Sequence, residues 1–225
     1  MRNKVENYEI DFKFDKEVEE KKEKEVQKGS IRELIKDKTY FINLVVLTTC
    51  WTCSSVNYYM IGFQLKHLKG SIYLNSILSS LFEVIAVAVG GAMVKLFGTK
   101  MGFIIAFSLS TLGALLIILV DEELVGKVIF AIFVFTSRFG VSATFAMVFI
   151  VTNDYFPPAM AGLTFGFCNL VARSFTVFSP MIAELPDPWP MAIFCLVAVA
   201  ACVAVLFIRE VKEDTKGINM ELNRV

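Results

Sequence analysis

Residues 40–63 read YFINLVVLTTCWTCSSVNYYMIGF, a stretch without one Asp, Glu, Lys or Arg. A helix needs roughly 20 mostly apolar residues to cross a bilayer, and this stretch is long enough. Five more stretches of the same kind follow, at about Ile72–Val94, Met101–Val120, Val128–Val151, Met160–Ile182 and Pro190–Ile208. The breaks between them are polar: Gln64 to Ser71, Lys95 to Lys100, Asp121 to Lys127, Asp154 to Pro158, and Glu184 to Trp189. None of the stretches alternates with period two, which argues against a β-barrel. In lipid the backbone must satisfy its own hydrogen bonds, so the spans are helices. The expected fold is an all-α membrane protein, a bundle of six transmembrane helices over residues 40–208.

Charge is partitioned the same way. The 225-residue chain has 22 basic and 22 acidic residues and no net charge. Residues 1–39 hold 22 of those 44 charges, residues 209–225 hold eight, and the whole span region only 14. A charge at the bilayer centre costs several kcal/mol, so this is the distribution a membrane imposes. A soluble enzyme, a nucleic-acid binder (no basic excess) and a disordered chain are all disfavoured. Residues 1–39 and 209–225 read as polar tails. Six helices put both tails on one side, together with the Lys95/Lys100 loop. That side holds seventeen Lys/Arg, against Lys66, Lys69 and Lys127 on the other, so the tails are expected in the cytoplasm. No apolar signal-peptide core precedes Tyr40. Lys16 to Lys28 interleaves Glu and Lys as a solvated segment. Ser30 and Glu33 have capping-box spacing, and Ile31, Leu34 and Ile35 make an apolar stripe, so a short interfacial helix is expected near residues 30–38.

Enzyme readings find little support. His67 is the single histidine and lies in a loop; G-x-S-x-G and H-E-x-x-H are absent, and the acidic trio at Asp121 has no His beside it. No cofactor or metal is implied. Cys50-Trp51-Thr52-Cys53 spells C-x-x-C, but a reactive thiolate needs exposure near a helix N-terminus. All five cysteines lie inside spans, where they read as small packing residues. Gly162-Leu163-Thr164-Phe165-Gly166 is a G-x-x-x-G, read as packing within the bundle.

An ordered set of motifs runs along the chain: Trp51, Asn57-Tyr58-Tyr59, Leu68-Lys69-Gly70, Ile72-Tyr73-Leu74-Asn75 and Glu83. It resembles the seventh and eighth helices of the organic cation/anion transporter family of the major facilitator superfamily. Gly91-Ala92-Met93-Val94-Lys95-Leu96-Phe97-Gly98-Thr99-Lys100 resembles the superfamily's G-x-x-x-D-R-x-G-R-R loop. Arg138, Thr152-Asn153-Asp154-Tyr155-Phe156-Pro157, Ala172-Arg173 with Ser179-Pro180, and Glu213-Asp214-Thr215-Lys216-Gly217 are similar to motifs of the later helices and tail. The resemblance covers about residues 31–217. It implies the C-terminal six-helix half of a twelve-helix fold, with an N-terminal half in the same full-length chain or as a second subunit. Several positions depart from the pattern. Lys95 replaces the loop Asp, Thr99 a basic residue, Met60 a Gly, Asp154 a Glu, and Pro158 and Ala161 a Thr and an Arg. Gating contacts that depend on those charges are therefore in question.

The expected function is transport of small organic ions or solutes by alternating access around a midplane site. The alternative is a non-transporting membrane subunit acting as scaffold or regulator. Intramembrane charges are functional candidates by default. Glu83, Arg138 and Arg173 fall near the middle of their spans, and the resemblance makes Trp51, Tyr58 and Tyr59 aromatic residues of the pathway, against a plainer reading as packing or an interfacial belt. The resemblance makes Arg173 a selectivity position that is basic in anion carriers, which favours an anionic substrate. The competing reading pairs Glu83 with Arg138 or Arg173 for packing alone. The resemblance makes Gly91, Lys95, Gly98, Lys100 and Asp154 gating-loop candidates, against a plainer reading in which the lysines anchor topology and Asp154 belongs to a helix stop.

Overall fold

A computed structural model describes residues 37–66 and 71–209. Residues 1–36 and 210–225, which hold most of the tails and of the interfacial helix expected near residues 30–38, lie outside the described residues, as does His67; residues 38 and 39, expected before the first span, belong to its helix. What is described is helical: α1 (Lys38–Gln64), α2 (Ile72–Leu119), α3 (Glu122–Val125), α4 (Lys127–Tyr155), α5 (Pro158–Thr176), α6 (Ser179–Ala183) and α7 (Trp189–Leu206). Among the described residues, five helical stretches are long and apolar enough to cross a membrane, with Met160–Ala183 counted as one. The chain is an integral, multi-pass membrane protein.

Two of the six expected stretches share one assigned helix. The 48 residues of α2 would extend about 72 Å if straight, over twice the hydrocarbon thickness. Gly98 interrupts them with φ 77° and ψ 168°. Such a backbone favours glycine, since a Cβ there is strained. The arms fold back on one another: a Cβ placed on Gly102 would lie 3.5 Å from the carbonyl oxygen of Met93, a contact nine residues of straight helix could not make. The expected loop from Lys95 to Lys100 is thus a bend at one residue. A second difference lies in the stretch Met160–Ile182, which breaks at Val177–Phe178 before α6. Pro180 lacks the N–H that would continue the ladder.

At the start of α1, the Asp37 carboxylate accepts from the Thr39 N–H at 2.8 Å, capping the helix. The core lies in two apolar clusters stacked along the bundle. One gathers Leu44, Leu47, Trp51, Phe103, Phe107, Met147, Val151 and Ala201 at the end where α1 begins and α7 ends. The other gathers Val56, Met60, Ile61, Val134, Val141, Met191 and Phe194 towards the opposite end. Buried polar residues lie where the two meet, among them Ser54, Ser55, Asn57, Arg138, Ser142 and Thr144. Several bond across helices. Ser54 Oγ donates to Thr144 Oγ1 at 3.2 Å, and Asn57 Nδ2 to the Phe194 carbonyl at 3.3 Å. Such contacts contribute about 0.6 kcal/mol each within membranes.

The tightest crossing joins the second arm of α2 to α4. A Cβ on Gly113 would lie 2.6 Å from the Ser137 backbone nitrogen, and one on Gly140 2.6 Å from that of Ser110. Glycine lets these backbones meet, and Gly90 does the same for the first arm of α2, where a Cβ would lie 2.7 Å from the Ala143 carbonyl oxygen of α4. The G-x-x-x-G at Gly162 and Gly166 behaves otherwise. Both are exposed, and an added Cβ would meet nothing within 4 Å. That corrects the expectation that the two glycines serve packing within this bundle.

Candidate functional site

The site is brought together from four helices. On α1, Trp51 and Tyr58 are seven residues apart and share a face. On α4 the same spacing aligns Arg138 with Phe145, and Phe149 follows one turn later. On α5, Phe165, Asn169 and Arg173 follow at intervals of four. The first arm of α2 adds Glu83.

Glu83 and Arg138 form an ion pair, Nη2 to Oε2 at 3.1 Å, with side chains 30% and 10% exposed. Tyr58 joins them twice. Its hydroxyl donates to Glu83 Oε1 at 2.6 Å, and its carbonyl accepts from Arg138 Nη1 at 3.2 Å. The Arg138 guanidinium also lies over the Tyr58 ring, 4.2 Å from the centroid, a cation–π geometry. Gly62 leaves room for this group: a Cβ there would sit 3.2 Å from Arg138 Nη1. Both charges have a partner, as a low-dielectric site demands. The pairing reading is therefore realised between Glu83 and Arg138, and Arg173 is not part of it.

Arg173 is exposed on α5. Its Nη1 donates to the Tyr59 hydroxyl at 2.7 Å and its Nε to Asn169 Oδ1 at 3.3 Å. Neither acceptor carries a formal charge, so the guanidinium keeps its positive charge, held in place by two neutral groups. The Tyr58 and Tyr59 rings stand edge to face, 5.6 Å apart, and join this cluster to the ion pair. Tyr58 is the more covered of the two and Tyr59 the more exposed, as expected for neighbours about 100° apart on a helix.

Trp51 is 1% exposed. Its Nε1 donates to Thr152 Oγ1 at 3.1 Å. Phe149 lies 4.4 Å away, Phe165 5.8 Å and Phe145 6.1 Å, centroid to centroid. It backs an aromatic patch instead of facing open space. Phe145 continues that patch by stacking on Tyr58 at 5.4 Å. Phe145, Phe149, Phe165 and Asn169 were not singled out in the sequence, although their spacing relative to Arg138 and Arg173 would have found them.

The gating-loop candidates lie elsewhere. Gly91 packs near Ile150, and Gly98 makes the bend. Lys95, Lys100 and Asp154 are exposed; among the described residues no ion pair joins them. The five cysteines are free thiols inside the spans. No cluster of metal-ligating side chains occurs among the described residues.

The model of the Major Facilitator Superfamily matches residues 15–222. Solute carrier family 22 member 4 of Mus musculus is 26% identical over 160 residues, 71% of this chain and 28% of the mouse protein. Organic cation/carnitine transporter 2 of Homo sapiens is 25% identical over 171 residues, 75% of this chain and 30% of the human one. The chain thus spans under a third of the length of these two relatives. The superfamily match extends over nearly all of the chain and embraces every residue of the site, and on that ground the chain belongs to the Major Facilitator Superfamily.

Proposed function

We propose that this chain forms one wall of a transporter that carries small organic ions by alternating access, with both tails in the cytoplasm. The observation that carries the reading is the exposed Arg173, held by Tyr59 and Asn169 beside an aromatic patch. Glu83 and Arg138 cancel within the protein, so the charge left for a solute at this site is positive. The substrate then bears an anionic group, with aromatic or aliphatic bulk against Tyr59 and Phe149. A cationic group on the same molecule is compatible, because the Tyr59 face also suits a cation. Relatives named for organic cations and carnitine point to that cationic group, so the anionic part of the reading rests on Arg173 alone; carnitine itself bears both an ammonium and a carboxylate.

The opposite wall comes from a further six-helix bundle, in the same full-length chain or as a second subunit. α5 supports this. With α1 it is the least apolar of the membrane-length helices, yet it is the least covered. A helix facing lipid would be the most apolar, so the open face of α5, with Gly162, Gly166, Asn169 and Arg173, suits protein and an aqueous cavity. Uptake of radiolabelled organic anions and zwitterions into cells expressing the native transcript tests the proposal. Alternating access predicts saturable uptake, accelerated by unlabelled substrate preloaded on the opposite side. Uptake no greater than in control cells would instead favour the scaffold reading.

A further inference from the structure

A groove of about 380 Å³ runs between α1 and α7 at the end where α1 begins and α7 ends. Its walls include Phe41, Val45, Thr49, Ala204 and Phe207, and its mouth carries Arg209. Phe41, Val45 and Phe207 are 44%, 50% and 65% exposed. From Phe41 to Thr49 the trough extends about 12 Å along α1, at ~1.5 Å per residue. Thr49 adds little polarity, since its hydroxyl donates to the Val45 carbonyl at 2.9 Å. The trough is therefore apolar along its length and cationic at its mouth.

Arg209 is fixed there by a second feature. Asn43 is fully buried. Its Oδ1 accepts from the Arg209 N–H and its Nδ2 donates to the Arg209 carbonyl, both at 2.8 Å. One buried amide thus satisfies both backbone groups just beyond α7 and ties the last helix to the first. Those bonds occupy the Arg209 backbone and leave its guanidinium unused; among the described residues it has no ion pair. Lys38 stands at the same end of α1, one turn before Phe41. The neighbouring carboxylate, Asp37, is engaged with the Thr39 N–H.

We propose that this groove binds an anionic phospholipid, with the phosphate on Arg209 and Lys38 and an acyl chain in the trough. Charge complementarity selects this occupant. The groove opens from two membrane-spanning helices where the apolar walls give way to cations, which is the depth of the headgroups. A neutral lipid would fill the trough but gain nothing from Arg209, whereas an anionic one gains an attraction at each basic residue. The inference rests on the membrane location and not on the transport reading.

The test uses the 225-residue chain in nanodiscs of equimolar phosphatidylcholine and phosphatidylserine, with retained lipid read by native mass spectrometry after release into mild detergent. The wild-type chain should retain phosphatidylserine in excess over phosphatidylcholine. Arg209→Gln should cut that excess about fivefold, the factor matching the ~1 kcal/mol attraction of one basic residue to anionic lipid. This variant keeps the bonds to Asn43, which use the backbone. Val45→Trp should fill the trough and lower retention of both lipids, and Lys100→Gln, at the bend of α2 and outside the groove lining, should lower the excess much less than Arg209→Gln. A photoactivatable phosphatidylserine on the wild-type chain should label the peptide from Phe41 to Thr49, a readout that needs no variant. Retention in proportion to bulk lipid, equal effects of Arg209→Gln and Lys100→Gln, unchanged retention in Val45→Trp, or labelling confined to other helices would each overturn the proposal.

Discussion

Glu83 and Arg138 stabilise each other only as a pair. Removing one charge leaves the other without its partner in a low-dielectric setting. Glu83→Gln or Arg138→Met alone should cost about 2 kcal/mol, below the fully buried range because Glu83 remains partly exposed. The double variant should recover part of that loss, as measured by denaturation in detergent micelles; strictly additive losses would deny the coupling. Asn169 acts differently, through Arg173. Asn169→Asp would place a carboxylate against the guanidinium and occupy its charge. It should raise the KM for an anionic substrate roughly tenfold, equivalent to ~1.4 kcal/mol, while Asn169→Gln should largely preserve it. At this scale the charged residues were legible in the sequence, because charge within an apolar span has few explanations. Which charge pairs with which was not, since Glu83, Arg138 and Arg173 lie on three separate helices whose rotations no local pattern records. Trp51 shows the same limit: its residue type announced an aromatic function, but its neighbours Phe145, Phe149 and Phe165 determine that it is covered.

Among the elements, the glycines separate into three kinds. Gly98 makes the bend, and Gly98→Ala should cost ~1 kcal/mol through its positive φ. Gly113 and Gly140 bring two backbones together, so Gly113→Val or Gly140→Val should force α2 and α4 apart and cost about 1–3 kcal/mol. Gly166 meets nothing, and Gly166→Ala should stay within about 0.5 kcal/mol in the isolated chain. Thermal unfolding of the four variants, compared under one detergent condition, checks the order. The ends of α1, α4 and α7 could be read from hydropathy to within a few residues, because a bilayer constrains both length and composition. The crossings could not. G-x-x-x-G at Gly162 drew notice through its spacing, whereas Gly113 and Gly140 lie on different helices and have no common motif. The polar break from Lys95 to Lys100 marks a turn, but not its economy of a single residue, Gly98.

For the molecule as a whole, the central feature is a cluster on one side of the bundle: a cancelled ion pair, an aromatic patch and a guanidinium held by neutral partners on the least covered helix. Fold class and family resemblance were visible in the order of motifs from Trp51 to Gly217. The match over residues 15–222 agrees with them. The proposed anionic substrate is the part that depends on geometry, because the proposal rests on Arg138, and not Arg173, being the partner of Glu83. The most direct measurement compares uptake by the native transcript with uptake by its Arg173→Gln and Arg173→Lys variants, across organic anions, zwitterions and cations of similar size. The account predicts that Arg173→Gln raises the KM for anions and zwitterions at least about tenfold, or ~1.4 kcal/mol, that Arg173→Lys restores part of it, and that cations are little affected. An unchanged KM and an unchanged competition profile in Arg173→Gln would contradict it.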